Sequence, residues 1–472
     1  MTRQLIKNAT IISMDPGIGV IHGGDILIDG NRIAEVAPRI SADAAPVLDA
    51  TDTIVLPGLI NAHIHTWEFP LRGIGANWVS KRDYHGNMHR NLAMRYQAAD
   101  VYVANLLGAL NQINHGTTTI FDWCHIVRDS EMTDAAVDGL EESGIRAVFA
   151  RGTVKPPVQE GGTPYYEIPF PREEIHRLRT GRFASDEGMV TLAMAILGPD
   201  YASYEVCSQD IRLARDYGLL NSAHTWARKG QRKLEDGMWR LAKDDLLGPD
   251  HNIAHGNCLE DDELKMVLDQ GCTVSATCFT EMFNSERVAM LGRLLKFGGM
   301  PSLGTDCDPY FNSSMLWVMR HAFQHQREID NRTLHAQGRW PAVDSQHATH
   351  TRDALEWATM GGAKMLRMDR KIGSITPGKQ ADLIMINARG MNVFPALPGG
   401  DPVHAVVMYA ESSDIDTVMI AGKAVKRGGK LLFPEKKLAE LQEKLLASRQ
   451  RIMRDGNYVY KPAPNGPRPQ AT

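Results

Sequence analysis

Residues 56–65 read LPGLINAHIH, an apolar run that ends in two histidines one residue apart. Side chains alternate between the two faces of a strand, so His63 and His65 point the same way if this run is a strand. Two imidazoles that converge at the end of a strand form half of a transition-metal site. The alternative is a pair of solvated loop histidines, and the rest of the chain decides between the two.

The sequence after this stretch alternates between short apolar runs and longer helical patterns. Strands are predicted at 117–121, 147–150, 191–196, 220–224, 252–255, 273–276 and 301–304, and two of the helices between them at 98–115 and 260–270. Strands that alternate with helices form parallel βα units. About eight such units over about 300 residues fit a closed (β/α)8 barrel, the TIM barrel.

Both ends of the chain have a different sequence pattern, which predicts short strands separated by turns. Strands are predicted at 5–12, 25–28, 32–37, 381–386, 405–409, 417–420 and 423–426. We therefore expect an α/β protein in which residues 58–371 form the barrel. Residues 1–57 and 372–433 are expected to form one small β-sandwich domain. Residues 434–472 are expected to hold a helix at 438–453 and a loose tail at 460–472.

Composition and charge exclude several classes of partner. The 472 residues are 43% hydrophobic and 23% charged, with a net charge of -4. This balance gives no reason to expect nucleic acid or an anionic membrane as a partner. No apolar run approaches the roughly 20 residues that span a bilayer, and the N-terminus lacks a signal-peptide pattern. The six cysteines have no CxxC spacing, as in a reducing compartment, so we expect a cytoplasmic enzyme with a small-molecule substrate.

Barrel enzymes carry their chemistry at the C-terminal ends of the strands. The predicted strands place five polar residues at such ends, namely His63, His65, His224, His255 and Asp306. A single histidine at a strand end is more often a satisfied polar residue than a metal ligand. Four histidines and an aspartate at these positions are much harder to explain by chance.

These motifs give the chain a resemblance to the amidohydrolase superfamily of metal-dependent barrel hydrolases. The branch it resembles holds cytosine deaminase, the triazine hydrolases and the methylthioadenosine/S-adenosylhomocysteine deaminases. Residues 57–65 are similar to the family's first-strand signature, and GTD at 304–306 to its eighth-strand signature. GSITPGKQADLI at 373–384 is similar to the turn that returns the chain to the small domain.

The resemblance implies a metal centre with defined roles for the strand-end residues. It implies that one divalent metal is bound by His63, His65, His224 and Asp306. We expect zinc, with iron, manganese or cobalt as alternatives. Asp306 would accept the proton of the attacking water and pass it to the leaving nitrogen, and His255 would orient the water or polarise the substrate.

The resemblance also bears on metal number and assembly. Binuclear relatives carry a carbamylated lysine on the fourth strand, whereas VTLAMAILGP at 190–199 has no lysine, so we expect one metal per subunit. A homo-oligomer is expected by the same analogy. Members of this superfamily that serve as assembly proteins have lost metal ligands, and this chain has kept all four.

The sequence departs from its relatives after the fifth-strand histidine. Deaminases of this branch usually have a glutamate three residues beyond that histidine, where this chain has Ala227. We therefore expect hydrolysis of an amide, urea or carbamate C–N bond in a small, aromatic molecule, since such a carbon needs one proton shuttle. The alternative is a deaminase or dechlorinase of a nitrogen heterocycle that uses another acid, with Glu68 and Glu281 as candidates.

Four further residues are predicted to contact the substrate because they lie near strand ends. They are Glu68, Trp123, His125 and Arg151. Each also has a purely structural interpretation, as a packed aromatic ring or a paired charge. The aromatic residues near the predicted strand ends favour a bulky or aromatic substrate.

Overall fold

The structure, a computed structural model, describes residues 3–42, 45–78, 81–284, 287–343, 349–397 and 399–460. Its first strands belong to a mixed sheet beside the barrel. They are β1 (Arg3–Ile12), β2 (Val20–Asp29), β3 (Arg32–Ala37), β4 (Val47–Asp49) and β5 (Thr53–Pro57). β1 pairs antiparallel with β2 and parallel with β4 and β5.

The next strands form an eight-stranded parallel sheet that curls into a barrel. They are β6 (Leu59–Ile64), β7 (Thr117–Cys124), β8 (Arg146–Gly152), β9 (Val190–Ile196), β10 (Asn221–Thr225), β11 (His251–His255), β12 (Thr273–Ala276) and β13 (Ser302–Leu303). Each strand pairs with its neighbour in chain order. Every residue of β6 through β11 is buried, as expected of parallel strands covered on both faces. The (β/α)8 barrel predicted from the sequence is confirmed.

The barrel closes where its last strand meets its first. The N–H of Asp306, just beyond β13, donates to the carbonyl of His63 at 2.9 Å, and its carbonyl accepts from the N–H of His65 at 3.3 Å. Gly304 lies against the same backbone. A Cβ atom on Gly304 would lie 2.6 Å from the carbonyl oxygen of His63.

Fourteen α-helices lie in the described residues, most of them between barrel strands. They are α1 (Lys81–Asn87), α2 (Ala98–Asn114), α3 (Ser130–Ser143), α4 (Arg172–Thr180), α5 (Tyr204–Asp216), α6 (Gly237–Lys243), α7 (Asp261–Asp269), α8 (Cys278–Asn284), α9 (Leu291–Lys296), α10 (Met315–Ala336), α11 (Thr351–Glu356), α12 (Gly362–Met365), α13 (Pro402–Tyr409) and α14 (Glu435–Asp455). A π-helical turn, Trp357–Gly361, joins α11 to α12.

The last strands return to the small sheet. They are β14 (Leu383–Asn387), β15 (Ile415–Ile420), β16 (Lys423–Arg427) and β17 (Lys430–Leu431). β14 pairs antiparallel with β5, so one continuous sheet contains both ends of the chain. Ile6, Ile26 and Leu383 belong to the same buried apolar cluster. The expected β domain built from both chain ends is confirmed, because strands from both ends pair in this sheet.

The predicted strand at 405–409 is wrong, because this segment belongs to helix α13. The Asp401 carboxylate accepts the N–H of Val403 at 2.8 Å, and Pro402 occupies the first turn. An aspartate cap followed by proline is a strong helix-start signal. The apolar run of Ala405, Val406 and Val407 suggested a strand, but these side chains are buried on a helix instead.

The small sheet contacts the barrel through an ion pair and through the short link between β5 and β6. The Arg146 guanidinium, at the start of β8, forms two hydrogen bonds with the Asp382 carboxylate, at 2.8 and 3.2 Å. Gly58 links β5 directly to β6, and a Cβ atom at this position would overlap the side chain of Thr118. The expected boundary at 57/58 therefore falls between two strands that run almost without a break from one sheet into the other.

Helix α14 supports the loop that follows the candidate metal-binding strand. Arg449 of this helix donates to the carbonyls of Pro70 and Arg72, at 2.7 and 3.0 Å. The expected tail beyond residue 460 lies outside the described residues. None of the helices in the described part of the chain is long and apolar enough to cross a membrane.

We predict that Gly304→Ala lowers the stability of the fold. The new methyl group must displace the backbone of His63, and overpacking of this kind costs about 1–3 kcal/mol. Thermal denaturation measures the effect. The control is Gly86→Ala in α1, where a Cβ meets nothing within 4 Å. Equal melting temperatures for the two variants would contradict the close approach at Gly304.

Candidate metal centre and active site

The five strand-end residues meet at the C-terminal mouth of the barrel. His63 lies in β6, His65 just beyond it, His224 in β10, His255 at the end of β11 and Asp306 beyond β13. All five are buried. Ligand atoms of four of them, His63, His65, His224 and Asp306, lie within 4.8 Å of one another. These are the four residues that the sequence singled out as metal ligands.

Hydrogen bonds position two of these candidate ligands. Nδ1 of His65 lies 2.7 Å from the carbonyl oxygen of Trp123. A carbonyl can only accept, so Nδ1 carries the proton and Nε2 keeps its lone pair for a metal. The Asn61 side chain accepts the N–H groups of His63 and Thr305, at 3.3 and 3.1 Å. Asn61 therefore holds the first and last strand ends together behind the ligands.

The donor set fits a divalent metal. Both ring nitrogens of His63 and Nδ1 of His224 are buried without a hydrogen-bond partner in the described part of the chain. Such atoms cost about 1–3 kcal/mol each when nothing satisfies them. Burial lowers the pKa of His63 to about 4 and the pKa of His224 well below its usual value, so both imidazoles are neutral at pH 7. Neutral imidazoles and a carboxylate are the ligands that zinc and similar metals bind.

Asp306 and His255 share an unusual backbone conformation. Their φ angles are 61° and 71°, in the left-handed region that non-glycine residues rarely adopt. Strain of this kind is concentrated at active sites, where the surrounding structure holds a side chain in a required direction. Here it directs both side chains toward the mouth of the barrel.

His255 is held from behind by two residues. Its Nδ1 lies 2.9 Å from the hydroxyl of Thr277 and 3.7 Å from Oε1 of Glu281. The same Glu281 oxygen accepts the N–H of Thr277 at 2.7 Å. Because Nδ1 is engaged, Nε2 is the nitrogen of His255 that remains for water or substrate.

A cavity opens in front of the candidate ligands. Six histidines and three tyrosines contribute to its wall, together with Trp226, Lys155, Thr280, Cys307 and Asp306. Among the described residues, Asp306 is the one carboxylate in this wall. Of the four predicted substrate contacts, His125 lies in the wall, and Trp67 donates to its Nδ1 at 3.1 Å.

The other three predicted contacts lie behind the cavity wall. The Trp123 ring packs on His224, with centroids 3.9 Å apart. Glu68 is fully buried, accepts the hydroxyl of Tyr84, and has its pKa raised to about 8 by burial. Arg151 packs on the ring of Phe170, 5.0 Å from its centroid. These placements suit structural support for the site, and a role in substrate contact stays a prediction for all four residues.

The position of the missing glutamate is occupied by a small apolar side chain with a carboxylate beneath it. The N–H groups of Trp226 and Ala227 both donate to Oδ2 of Asp200, at 2.5 Å. Asp200 is buried and does not belong to the cavity wall. It stabilises the turn after β10 and does not replace the glutamate in the cavity.

The sequence interpretation missed several residues of the cavity wall. Lys155, Tyr84, His89 and Tyr201 lie on loops or short helices that no strand pattern positions. The sequence position of Lys155, three residues beyond the end of β8, was a weak indication that it lies in the cavity wall. For His89 there was no such indication, since its place against His125, with ring centroids 4.5 Å apart, depends on the fold of the loop after β6.

Comparison with known proteins agrees with the geometry. A 5'-deoxyadenosine deaminase of Methanosarcina mazei is 26% identical over 459 residues, covering 94% of this chain and 98% of that protein. A 5-methylthioadenosine/S-adenosylhomocysteine deaminase of Pelotomaculum thermopropionicum is 28% identical over 464 residues, covering 94% and 99%. The crystal structure of the atrazine chlorohydrolase TrzN of Arthrobacter aurescens TC1, complexed with zinc, has a TM-score of 0.80 at 21% identity and covers 94% of this chain and 99% of that one.

A closed barrel with three histidines and an aspartate at its mouth defines a hydrolase of the metal-dependent barrel class. The chain belongs to the amidohydrolase family, whose model matches residues 54–425. The resemblance inferred from the sequence motifs is thereby confirmed. The protein is a hydrolase of carbon–nitrogen bonds other than peptide bonds, as the sequence predicted.

We predict that His63→Ala or His224→Ala removes stoichiometric divalent metal from the purified protein. Each change deletes one of four ligands, and the remaining three cannot close the same site. Elemental analysis of the purified variants measures the loss. The exposed His176 lies on α4 away from this centre, so His176→Ala serves as the control and should keep its metal. Retention of full metal content by both ligand variants would contradict the assignment.

Proposed function

We propose that the protein hydrolyses the C–N bond of an amide, urea or carbamate in a small aromatic molecule. The main support for this proposal is the composition of the cavity wall. Among the described residues, Asp306 is the one carboxylate in it. An acyl or carbamoyl carbon needs a single group that takes a proton from water and returns it to the leaving nitrogen. Protonation of an aromatic ring nitrogen needs a second acid, for which this wall offers no carboxylate.

His63, His65, His224 and Asp306 would bind one divalent metal, and zinc suits this donor set. When bound, the metal supplies a Lewis acid that lowers the pKa of water from 15.7 toward about 7. Asp306 accepts the proton of the attacking water and delivers it to the leaving nitrogen. His255 donates from Nε2 to the oxygen on which negative charge develops, while Thr277 and Glu281 fix the ring.

A second candidate is deamination or dechlorination of a nitrogen heterocycle. The names of the sequence relatives support it, since those from Methanosarcina mazei and Pelotomaculum thermopropionicum are deaminases of adenosine derivatives. The two acids considered from the sequence, Glu68 and Glu281, lie behind the wall. This candidate therefore requires a different proton donor. The homo-oligomeric state and the cytoplasmic location expected from the sequence stay predictions.

The test is a panel of small ureas, carbamates, anilides and aminoheterocycles with the zinc-loaded protein. Release of an aromatic amine from a urea, carbamate or anilide supports the proposal. Release of ammonia from aminoheterocycles, with no turnover of the other compounds, would replace it by the second candidate.

We predict that Asp306→Asn lowers turnover by about 10²- to 10⁴-fold, the usual contribution of a proton shuttle. The amide keeps an oxygen that can face the metal but cannot accept a proton at neutral pH. Steady-state rates and metal content are measured on the same sample. Asp308→Asn is the matched control, because Asp308 is an equally buried neighbour that binds Arg72 outside the cavity wall. A near-normal rate for Asp306→Asn would rule out the shuttle.

We predict that Ala227→Glu does not raise activity on the amide, urea or carbamate substrate. That reaction does not use a second carboxylic acid. The measurement is kcat/KM for the best substrate of the panel. A clear gain in ammonia release from aminoheterocycles, without loss of stability, would instead favour the second candidate.

A further inference from the structure

Lys155 is a buried cation with no hydrogen-bond or ion-pair partner among the residues that the structure describes. Its relative exposure is 5%, and it lies in the cavity wall beyond the end of β8. Its ammonium nitrogen lies 4.3 Å from the ring centroid of Tyr201 and 6.0 Å from that of Trp123. No hydrogen bond or ion pair joins this nitrogen to any residue in the described part of the chain. Its compensation comes from the two aromatic faces and, through space, from the carboxylates of Asp200 and Asp306.

The other buried cations in the described part of the chain all have partners. Arg146 binds Asp382, Arg151 donates to the carbonyl of Gly152, and Lys426 donates to the carbonyls of Asn114 and Ser412. Burial of a charge is unfavourable unless an opposite charge or hydrogen bonds compensate it. Lys155 is therefore the exception among the buried cations that the structure describes, and it lies where a ligand in the cavity can supply the missing partner.

The electrostatics of the cavity favour an anion at this position. Burial lowers the pKa of Lys155 to about 8, which still leaves the amine mostly protonated at neutral pH. The described wall offers Asp306 as its one carboxylate, and Asp306 faces His63 and His65. A divalent metal would add further positive charge at the base of the cavity. A wall of this kind attracts negatively charged ligands.

We propose that Lys155 binds a carboxylate of the substrate while the scissile C–N bond lies at the metal centre. This assignment rests on the proposed function and narrows its substrate class to aromatic amides, ureas or carbamates that carry a carboxylate. A single lysine suits a carboxylate better than a phosphate, which is usually held by several donors or by a planar guanidinium. Lys155 is then a binding residue that acts on specificity.

The first experiment measures binding without turnover. Benzoate and its uncharged counterpart benzamide are titrated by calorimetry into the zinc-loaded protein. We expect benzoate to bind wild type about ten- to hundredfold more tightly than Lys155→Met, the usual effect of a hydrogen bond to a charged group. Benzamide should bind both proteins alike. Equal affinity of benzoate for wild type and Lys155→Met would overturn the proposal.

A matched control separates this site from lysines that merely stack on a ring. The Lys233 ammonium lies 4.6 Å from the centroid of Tyr166, but Lys233 is exposed and lies outside the cavity wall. Lys233→Met should leave benzoate binding unchanged, and a loss equal to that of Lys155→Met would overturn the assignment. Metal content and thermal denaturation establish that the variants are folded. The wild-type comparison of benzoate with benzamide needs no variant, and equal affinities there would also refute the proposal.

The second experiment measures specificity in turnover. Wild type is assayed with 4-ureidobenzoate against phenylurea, and with 4-acetamidobenzoate against acetanilide. We expect the carboxylated member of a pair to have the higher kcat/KM, and Lys155→Met to abolish this preference mainly through KM. Equal efficiency of wild type on both members would overturn the proposal. If neither member of either pair is turned over and the wider panel also releases no aromatic amine, the proposed function fails, while the benzoate titration still decides the role of Lys155.

Discussion

The barrel is closed by main-chain hydrogen bonds between the residues that carry the candidate metal ligands. Asp306 donates to the carbonyl of His63 and accepts from the N–H of His65. Closure of the sheet and assembly of the ligand set are therefore one structural event. Gly304 allows the strands to approach, and the Asn61 amide bridges the two strand ends. These contacts bring His63, His65 and Asp306 together as the barrel forms.

Periodic features of the chain were predictable from the sequence because they follow from the backbone. Parallel strands bring their C-terminal ends together, so the positions of His224 and Asp306 could be inferred from the strand pattern alone. The paired histidines at the end of β6 follow from the two-residue repeat of a strand. The helix α13 could not be separated from a strand by its apolar run, and only the Asp401–Pro402 pair distinguished it.

The parts of the site that were not predictable lie on segments without a repeat. Lys155 and His89 reach the cavity through loops whose paths depend on packing against several strands at once. The burial of Glu68 could not be foreseen either, since a carboxylate beside the first candidate metal-binding strand is more often solvated than enclosed. The absence of a glutamate at Ala227 was visible in the sequence. That Asp200 lies beneath this turn and outside the cavity was visible only in the structure.

The position of β5 in the small sheet has a consequence for how the protein is made. β5 continues through Gly58 into β6 and has β1 on one side and β14 on the other. β14, the second neighbour of β5, is complete only when residue 387 has left the ribosome. Through most of synthesis, the strand that leads to the first two histidines therefore exposes an unpaired edge to the cell. Nascent chains that stall before this point would be exposed to edge-to-edge aggregation and would depend on chaperones more than the finished protein does.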